Sequence, residues 1–119
     1  MNFIKLNNVI IHYRFIPGTS SGNGSGKTFV FINSLGTDFR IWNEVAVSLK
    51  DYGNILLYDK RGHGLSDDVN DTNGLTDFTE DVLALMQYHS VNKCIPVGLS
   101  VGGMIAQLIA HRKPEVVEK

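Results

Sequence analysis

The residues best suited to chemistry are Val97-Gly98-Leu99-Ser100-Val101-Gly102-Gly103. They form a G-x-S-x-G pattern with an apolar run before it and a helical apolar stripe after it. On a very tight strand-to-helix turn a serine is held in strained backbone angles, and its hydroxyl projects above the sheet's C-terminal edge. The chain two residues to either side then closes on itself, which suits glycine at both Gly98 and Gly102. The following helix adds its positive end, and the Val101 N–H faces a developing oxyanion. A second N–H must come from the loop after an earlier strand. Asn33-Ser34-Leu35-Gly36-Thr37 follows an apolar run at 28–32, and the Leu35 N–H is the candidate. The chemistry is acyl transfer through Ser100. Gly/Ser-rich turns produce the bare pattern by chance, so its weight comes from the strand before and the helix after.

A competing motif ends in Gly26-Lys27-Thr28, which looks like the close of a phosphate-binding P-loop. The pattern G-x-x-x-x-G-K-[ST] requires glycine at position 21, which holds Ser21, and requires a helix to open at the lysine. Thr28 is instead followed by Phe-Val-Phe-Ile, a strand. Without a helix N-terminus no row of amides is aimed at a phosphate, and 17–27 reads as a flexible loop.

These residues need elements to hold them. Val9 to Ile16 is β-branched and aromatic and reads as a strand, with a shorter partner at 3–6. Thr28–Ile32, Ile55–Tyr58 and Cys94–Val97 are nearly continuous apolar runs, the mark of strands buried on both faces. Pro96 carries a penalty there, since it donates no ladder hydrogen bond. Between them the period changes. Trp42, Val45, Ala46 and Leu49 share one helical face, as do Phe78, Val82, Leu85 and Met86, and then Met104, Ile105, Leu108 and Ile109. Asp77, with Glu80 three residues on, reads as an N-cap. The alternation predicts an α/β fold with a mostly parallel sheet flanked by helices, in one domain over 1–119.

Composition excludes other classes. The 119 residues carry a formal net charge of −1, with 43% hydrophobic and 19% charged side chains. That balance speaks against a nucleic-acid partner. No apolar run approaches the ~20 residues of a membrane span, and the N-terminus lacks a signal-peptide layout. Cys94 is the single cysteine, so a reducing, cytoplasmic setting is expected. The reading calls for no cofactor and no metal.

The segments "NSLGTDFRIW" (33–42), "YDKRGHGLSD" (58–67) and "GLSVGGMIAQLIA" (98–110) are similar to those of the α/β-hydrolases, and within them the 3-oxoadipate enol-lactonases. The resemblance runs over almost the whole chain. It implies Ser100 as nucleophile, the Leu35 and Val101 amides as oxyanion hole, and hydrolysis of a small carboxylated ester or enol-lactone. Related esterases, C–C hydrolases and perhydrolases use similar motifs. Serine at position 100 argues against branches with an aspartate nucleophile.

Members of that family are about twice as long, so the chain resembles their N-terminal half, without lid or C-terminal strands. The triad order is Ser, then Asp/Glu, then His. After Ser100 come only Glu115, Glu118 and His111. His111 lies about three helical turns away, some 15 Å at ~1.5 Å per residue, too far to take the serine's proton. The expectation is a half-site lacking its acid and base. The sheet edge beside the nucleophile strand would be open, which invites a second copy or a C-terminal half. A catalytically incomplete binding or interaction module is the alternative. Asn33, Ser34 and Trp42 are candidate pocket residues, although Trp42 on its stripe reads equally as packing. His63 in Arg61-Gly62-His63-Gly64 reads as structural, His12 and His89 as surface or packing residues, and Asp59, Lys60 and Arg61 as makers of a fold-stabilising ion pair.

Overall fold

The computed structural model describes residues 2–18, 27–34, 36–66 and 74–118. Among these residues five strands form one sheet: β1 (Asn2–Leu6), β2 (Val9–Ile16), β3 (Thr28–Ile32), β4 (Asn54–Tyr58) and β5 (Ile95–Gly98). The α-helices described beside them are α1 (Asn43–Leu49), α2 (Leu75–Tyr88) and α3 (Val101–Arg112). The strand order is β1-β2-β4-β3-β5. β3 runs parallel to both β4 and β5, while β2 is antiparallel to β1 and β4. The alternation of apolar residues with period two serves both faces. Val30, Ile32, Leu56 and Tyr58 meet Phe78, Val82, Leu85 and Met86 of α2 and Ile105 and Ile109 of α3. Phe31, Ile55 and Leu57 point the other way, to Phe39 and Ala46.

The expected strands all form, with β2 and β3 at their predicted bounds. The loop expected at 17–27 falls mostly on 19–26, outside the described residues. Thr28 opens β3, so the Lys27-Thr28 pair is followed by a strand.

Three local expectations need correction. Asp77 is not the N-cap of α2 but its third residue. The cap is Gly74, whose N–H donates to Asp77 Oδ2 at 3.1 Å. The acidic side chain thus serves the same orphan donors from inside the first turn. Val45, on the predicted stripe of α1, is 44% exposed, because a 3-10 turn (Phe39–Trp42) precedes α1 and shifts the stripe. Met104 is 54% exposed, and Ile105 and Ile109 carry the packing of α3.

The outer edge of β5 is not bare. After α3 a short turn at Pro114–Val116 brings the chain back, and Cys94 pairs in parallel with Val117. The Cys94 N–H donates to Val116 O and the Glu118 N–H to Cys94 O, both at 2.8 Å. Strand alternation explains how Pro96 is tolerated. Leu99 N–H donates inward to Ile32 O, so the odd residues face β3. The donor that Pro96 lacks would point to the outer edge, where no β3 bond is lost.

Candidate functional site

Three strand ends, those of β3, β4 and β5, lie side by side and in parallel, so the loops that follow them share one edge of the sheet. The elbow follows β5. Ser100 is the residue before α3, exposed, with φ 57° and ψ −117°. That is outside the relaxed regions for a residue with a Cβ, and such strain persists only where the surroundings enforce it. The enforcement is visible at the two glycines. A Cβ on Gly98 would overlap the Gly102 carbonyl, and one on Gly102 would overlap the Ile32 carbonyl. Strand, turn and helix therefore approach more closely than any other residue type allows. The Leu99 N–H to Ile32 O bond, 3.1 Å, ties the turn to β3, and the Gly103 N–H to Ser100 O bond, 2.9 Å, starts the helix. Val101, as first helical residue, has an N–H with no acceptor inside the helix. The Ser100 hydroxyl has no hydrogen-bond partner among the described residues.

The loop after β3 is braced from within. Asn33 is fully buried, and its Nδ2 donates to Thr37 O at 2.6 Å and to Thr37 Oγ1 at 3.1 Å. Thr37 Oγ1 in turn donates to Ser34 O at 2.8 Å. Leu35, the other expected oxyanion donor, lies outside the described residues. Trp42 packs its indole on Phe31, with ring centroids 5.0 Å apart, and joins the smaller core beside α1.

The loop after β4 carries the charges, all buried. Arg61 holds Asp81 of α2 through two bonds, Nε to Oδ2 at 2.7 Å and Nη2 to Oδ1 at 2.8 Å. This carboxylate raises the Arg61 pKa further. Asp59 accepts from the Phe39 N–H at 2.9 Å and the Leu65 N–H at 3.0 Å, and lies 2.8 Å from His12 Nδ1. The expected ion pair is therefore present for Arg61, with Asp81, while Asp59 is held by two amides and the His12 ring. His12 is more than packing: it is buried, stacked on Phe39 and bonded to Asp59. Its β-strand setting hid this, because the partner lies 47 residues away. Lys60 differs from its neighbours. It is fully buried, and its Nζ donates to the carbonyls of Asn33, 2.8 Å, and Ser34, 3.0 Å. Burial pushes its pKa down to about 8, against the pull of Asp59. His63 bonds Arg61 O through Nδ1 at 3.0 Å and sets its edge toward Phe78, and His89 stacks on Phe15.

His111 and His12 both lie beyond the elbow's reach. α3 is unbroken from Val101 to Arg112, which puts His111 about 15 Å down the helix at ~1.5 Å per residue. β2 is three strands from β5, roughly 14 Å at ~4.8 Å per strand, which removes the His12–Asp59 pair as well. A cleft of about 890 Å³ is lined by His12, Arg14, Asp38, Phe39, Asp59 and Leu65 among others, but not by Ser100. It belongs to the β2 side of the sheet and is not the elbow's pocket. Among the described residues no group of His, Cys, Asp or Glu is placed to hold a metal ion.

A family described as the alpha/beta hydrolase fold matches residues 27–119. The chain belongs to that family. Among curated relatives, 3-oxoadipate enol-lactonase 1 of Acinetobacter baylyi is 37% identical over 86 residues, 72% of this chain and 32% of its own length. The Karrikin insensitive 2 receptor CA of Petunia hybrida is 30% identical over 101 residues, 81% of this chain and 37% of its own. The crystal structure of the enol-lactonase from Burkholderia xenovorans superposes with a TM-score of 0.89 at 32% identity, over 98% of this chain and 44% of that one. This alpha/beta hydrolase chain thus spans about a third of the length of the curated relatives it matches. No helix among its described residues is long and apolar enough to cross a membrane.

Proposed function

We propose that this chain carries the nucleophile half of a serine hydrolase that acts on a small carboxylic ester or enol-lactone. The observation that carries the reading is Ser100: exposed, at φ 57°, on a turn that only glycines at 98 and 102 permit, at the mouth of α3. In this reading the Ser100 hydroxyl attacks the acyl carbon. Its proton passes to a base, and the carbonyl oxygen takes up the negative charge between the N–H groups of Val101 and Leu35. The acyl-serine is then released by water. The likeness to two enol-lactonases supports the substrate class. Esterase, C–C hydrolase and perhydrolase chemistry use the same nucleophile. Ser34 is the pocket-wall candidate of this reading, with Asn33, fully buried, bracing the loop behind it and Trp42 packed on Phe31.

In this reading the base and acid come from residues outside these 119, since His111 and His12 lie too far from Ser100. They are brought by a C-terminal half or a second copy that extends the sheet at the outer edge of β5, where Val117 and Cys94 already begin a parallel ladder. A free, buried Cys94, whose thiol burial pushes up to about 11, suits a cytoplasmic setting without disulfides. A second reading, a catalytically incomplete binding or interaction module, is favoured by the likeness to a protein named as a receptor. The deciding experiment measures hydrolysis of an enol-lactone and of p-nitrophenyl acetate. It uses the chain alone and then mixed with the separately expressed C-terminal part of an enol-lactonase. Restored turnover that Ser100→Ala abolishes supports the hydrolase. Ligand binding without turnover in the mixture supports the second reading.

A further inference from the structure

His12 is a buried group for which the elbow has no use. It is 5% exposed, and its Nε2 is buried without a hydrogen-bond partner among the described residues. Its Nδ1 is committed, at 2.8 Å from Asp59 Oδ2. That oxygen also accepts the Leu65 N–H at 3.0 Å, so it offers lone pairs and Nδ1 is the donor. The tautomer follows: Nε2 carries the free lone pair and is turned away from Asp59. The ring is held against swinging elsewhere. Phe39 stacks on it with centroids 4.9 Å apart at 23°, and Phe3 lies at 4.9 Å and 34°. A buried acceptor left unpaired is costly and calls for a partner that the fold does not supply.

His12 lines the cleft of about 890 Å³ on the β2 side of the sheet, a size that suits a small-molecule site. Arg14 lines it too. Arg14 stands two residues along β2, on the same face of the strand as His12 and roughly 7 Å away at ~3.4 Å per residue. The two arginines that line the cleft differ. Arg40 is spent on Asp38, through Nε at 2.9 Å and Nη2 at 2.8 Å. Arg14 is exposed and has no ion-pair partner among the described residues. Phe15, Phe39 and Leu65 add apolar wall.

We propose that this cleft is a binding site for a small carboxylic acid that carries a hydroxyl at the far end of an apolar, ring-sized body. The carboxylate pairs with the Arg14 guanidinium, whose planar fork matches it. The hydroxyl donates to His12 Nε2, which Asp59 keeps an acceptor by holding the proton on Nδ1. Phe3, 52% exposed on the edge strand β1, is the ring that turns aside to admit the hydroxyl, a side-chain change of the ordinary kind on binding. The site does not involve Ser100, so it stands whether or not the chain hydrolyses esters.

The test titrates the whole chain with 3-(4-hydroxyphenyl)propionate, followed by calorimetry and by the ring-nitrogen NMR signals of His12. Two analogues each lack one group: 3-phenylpropionate has no hydroxyl, and 4-ethylphenol has no carboxylate. The first should bind at least about tenfold more weakly, because a buried acceptor stays unpaired. The second should lose about threefold or more, since an exposed arginine is worth less. The His12 Nε2 signal should move with the hydroxy acid and stay in place with 3-phenylpropionate. Arg14→Gln should weaken the hydroxy acid by the same threefold or more and leave 4-ethylphenol unchanged. His12→Phe should bring the hydroxy acid down to the affinity of 3-phenylpropionate; should that variant not fold, the analogues on wild type answer the same question. No saturable binding of the hydroxy acid overturns the proposal. So does equal binding of the hydroxy acid and 3-phenylpropionate, the mark of an apolar crevice only. Binding that leaves the Nε2 signal unmoved also overturns it, and gives that nitrogen to an ordered water instead.

Discussion

Two loops at the same edge of the sheet use opposite designs. After β4, Asp59 and Arg61 carry full charges and spend them on partners: the Phe39 and Leu65 amides, His12 and Asp81. After β5, Ser100 carries no charge, sits in strained angles, and leaves its hydroxyl without a partner among the described residues. A cluster of ionisable side chains is the more eye-catching of the two, yet its groups are occupied in holding elements together. Arg61–Asp81 ties the β4 loop to α2, and Asp59 ties it to β2 and to the turn before α1. On the proposed reading, what distinguishes the place for chemistry is stored strain and an uncommitted group.

The comparison can be broken from either side. The largest effect is expected in the charged loop. Arg61→Met should cost about 3–5 kcal/mol of stability, because it strands a buried carboxylate, and the double change Arg61→Met with Asp81→Leu should cost less. Urea unfolding measures both, and reactivity at Ser100 per folded chain should be untouched. Next comes Gly102→Ala, whose Cβ would meet the Ile32 carbonyl. Overpacking against backbone should cost roughly 3 kcal/mol or more, and here both stability and reactivity should fall.

A pH series sharpens the case of Lys60, whose folded pKa of about 8 lies below its ordinary value of 10.5. Between these values the unfolded chain binds more protons than the folded one, so stability rises with pH across that window. Relative to Lys60→Met, wild type should gain about 2 kcal/mol between pH 8 and pH 10. A flat difference would mean an ammonium that is not desolvated. The smallest effect belongs to the elbow. Ser100→Gly relieves φ 57° and should stabilise by about 1 kcal/mol while removing the proposed nucleophile. A gain in stability with loss of function is the opposite of the Arg61 result.

Much of this arrangement was legible in the order of residues. β-Branched and aromatic runs located every strand, and Phe78, Val82, Leu85 and Met86 declared the inner face of α2. The G-x-S-x-G spacing between a strand and a helix pointed to a strained turn at Ser100. What stayed hidden depends on contacts across the fold. The pairing of His12 with Asp59, of Arg61 with Asp81, and of Lys60 with two carbonyls joins residues 20 or more positions apart. No local spacing encodes such meetings. Asp77 was misplaced by three residues because a glycine cap leaves no side-chain signal, and Val45 was misplaced because a 3-10 turn shifts a helical stripe.

On the proposed reading, Ser100 is a nucleophile presented by its backbone and activated by a base from outside these 119 residues. Intact-mass analysis of the chain mixed with the separately expressed C-terminal part of an enol-lactonase, after incubation with a fluorophosphonate and followed by peptide mapping, tests this directly. One adduct per chain on Ser100, absent in Ser100→Ala and undiminished by competing serines elsewhere, is the predicted result. Labelling spread over surface serines, or an unmodified Ser100 in the mixture, would contradict it.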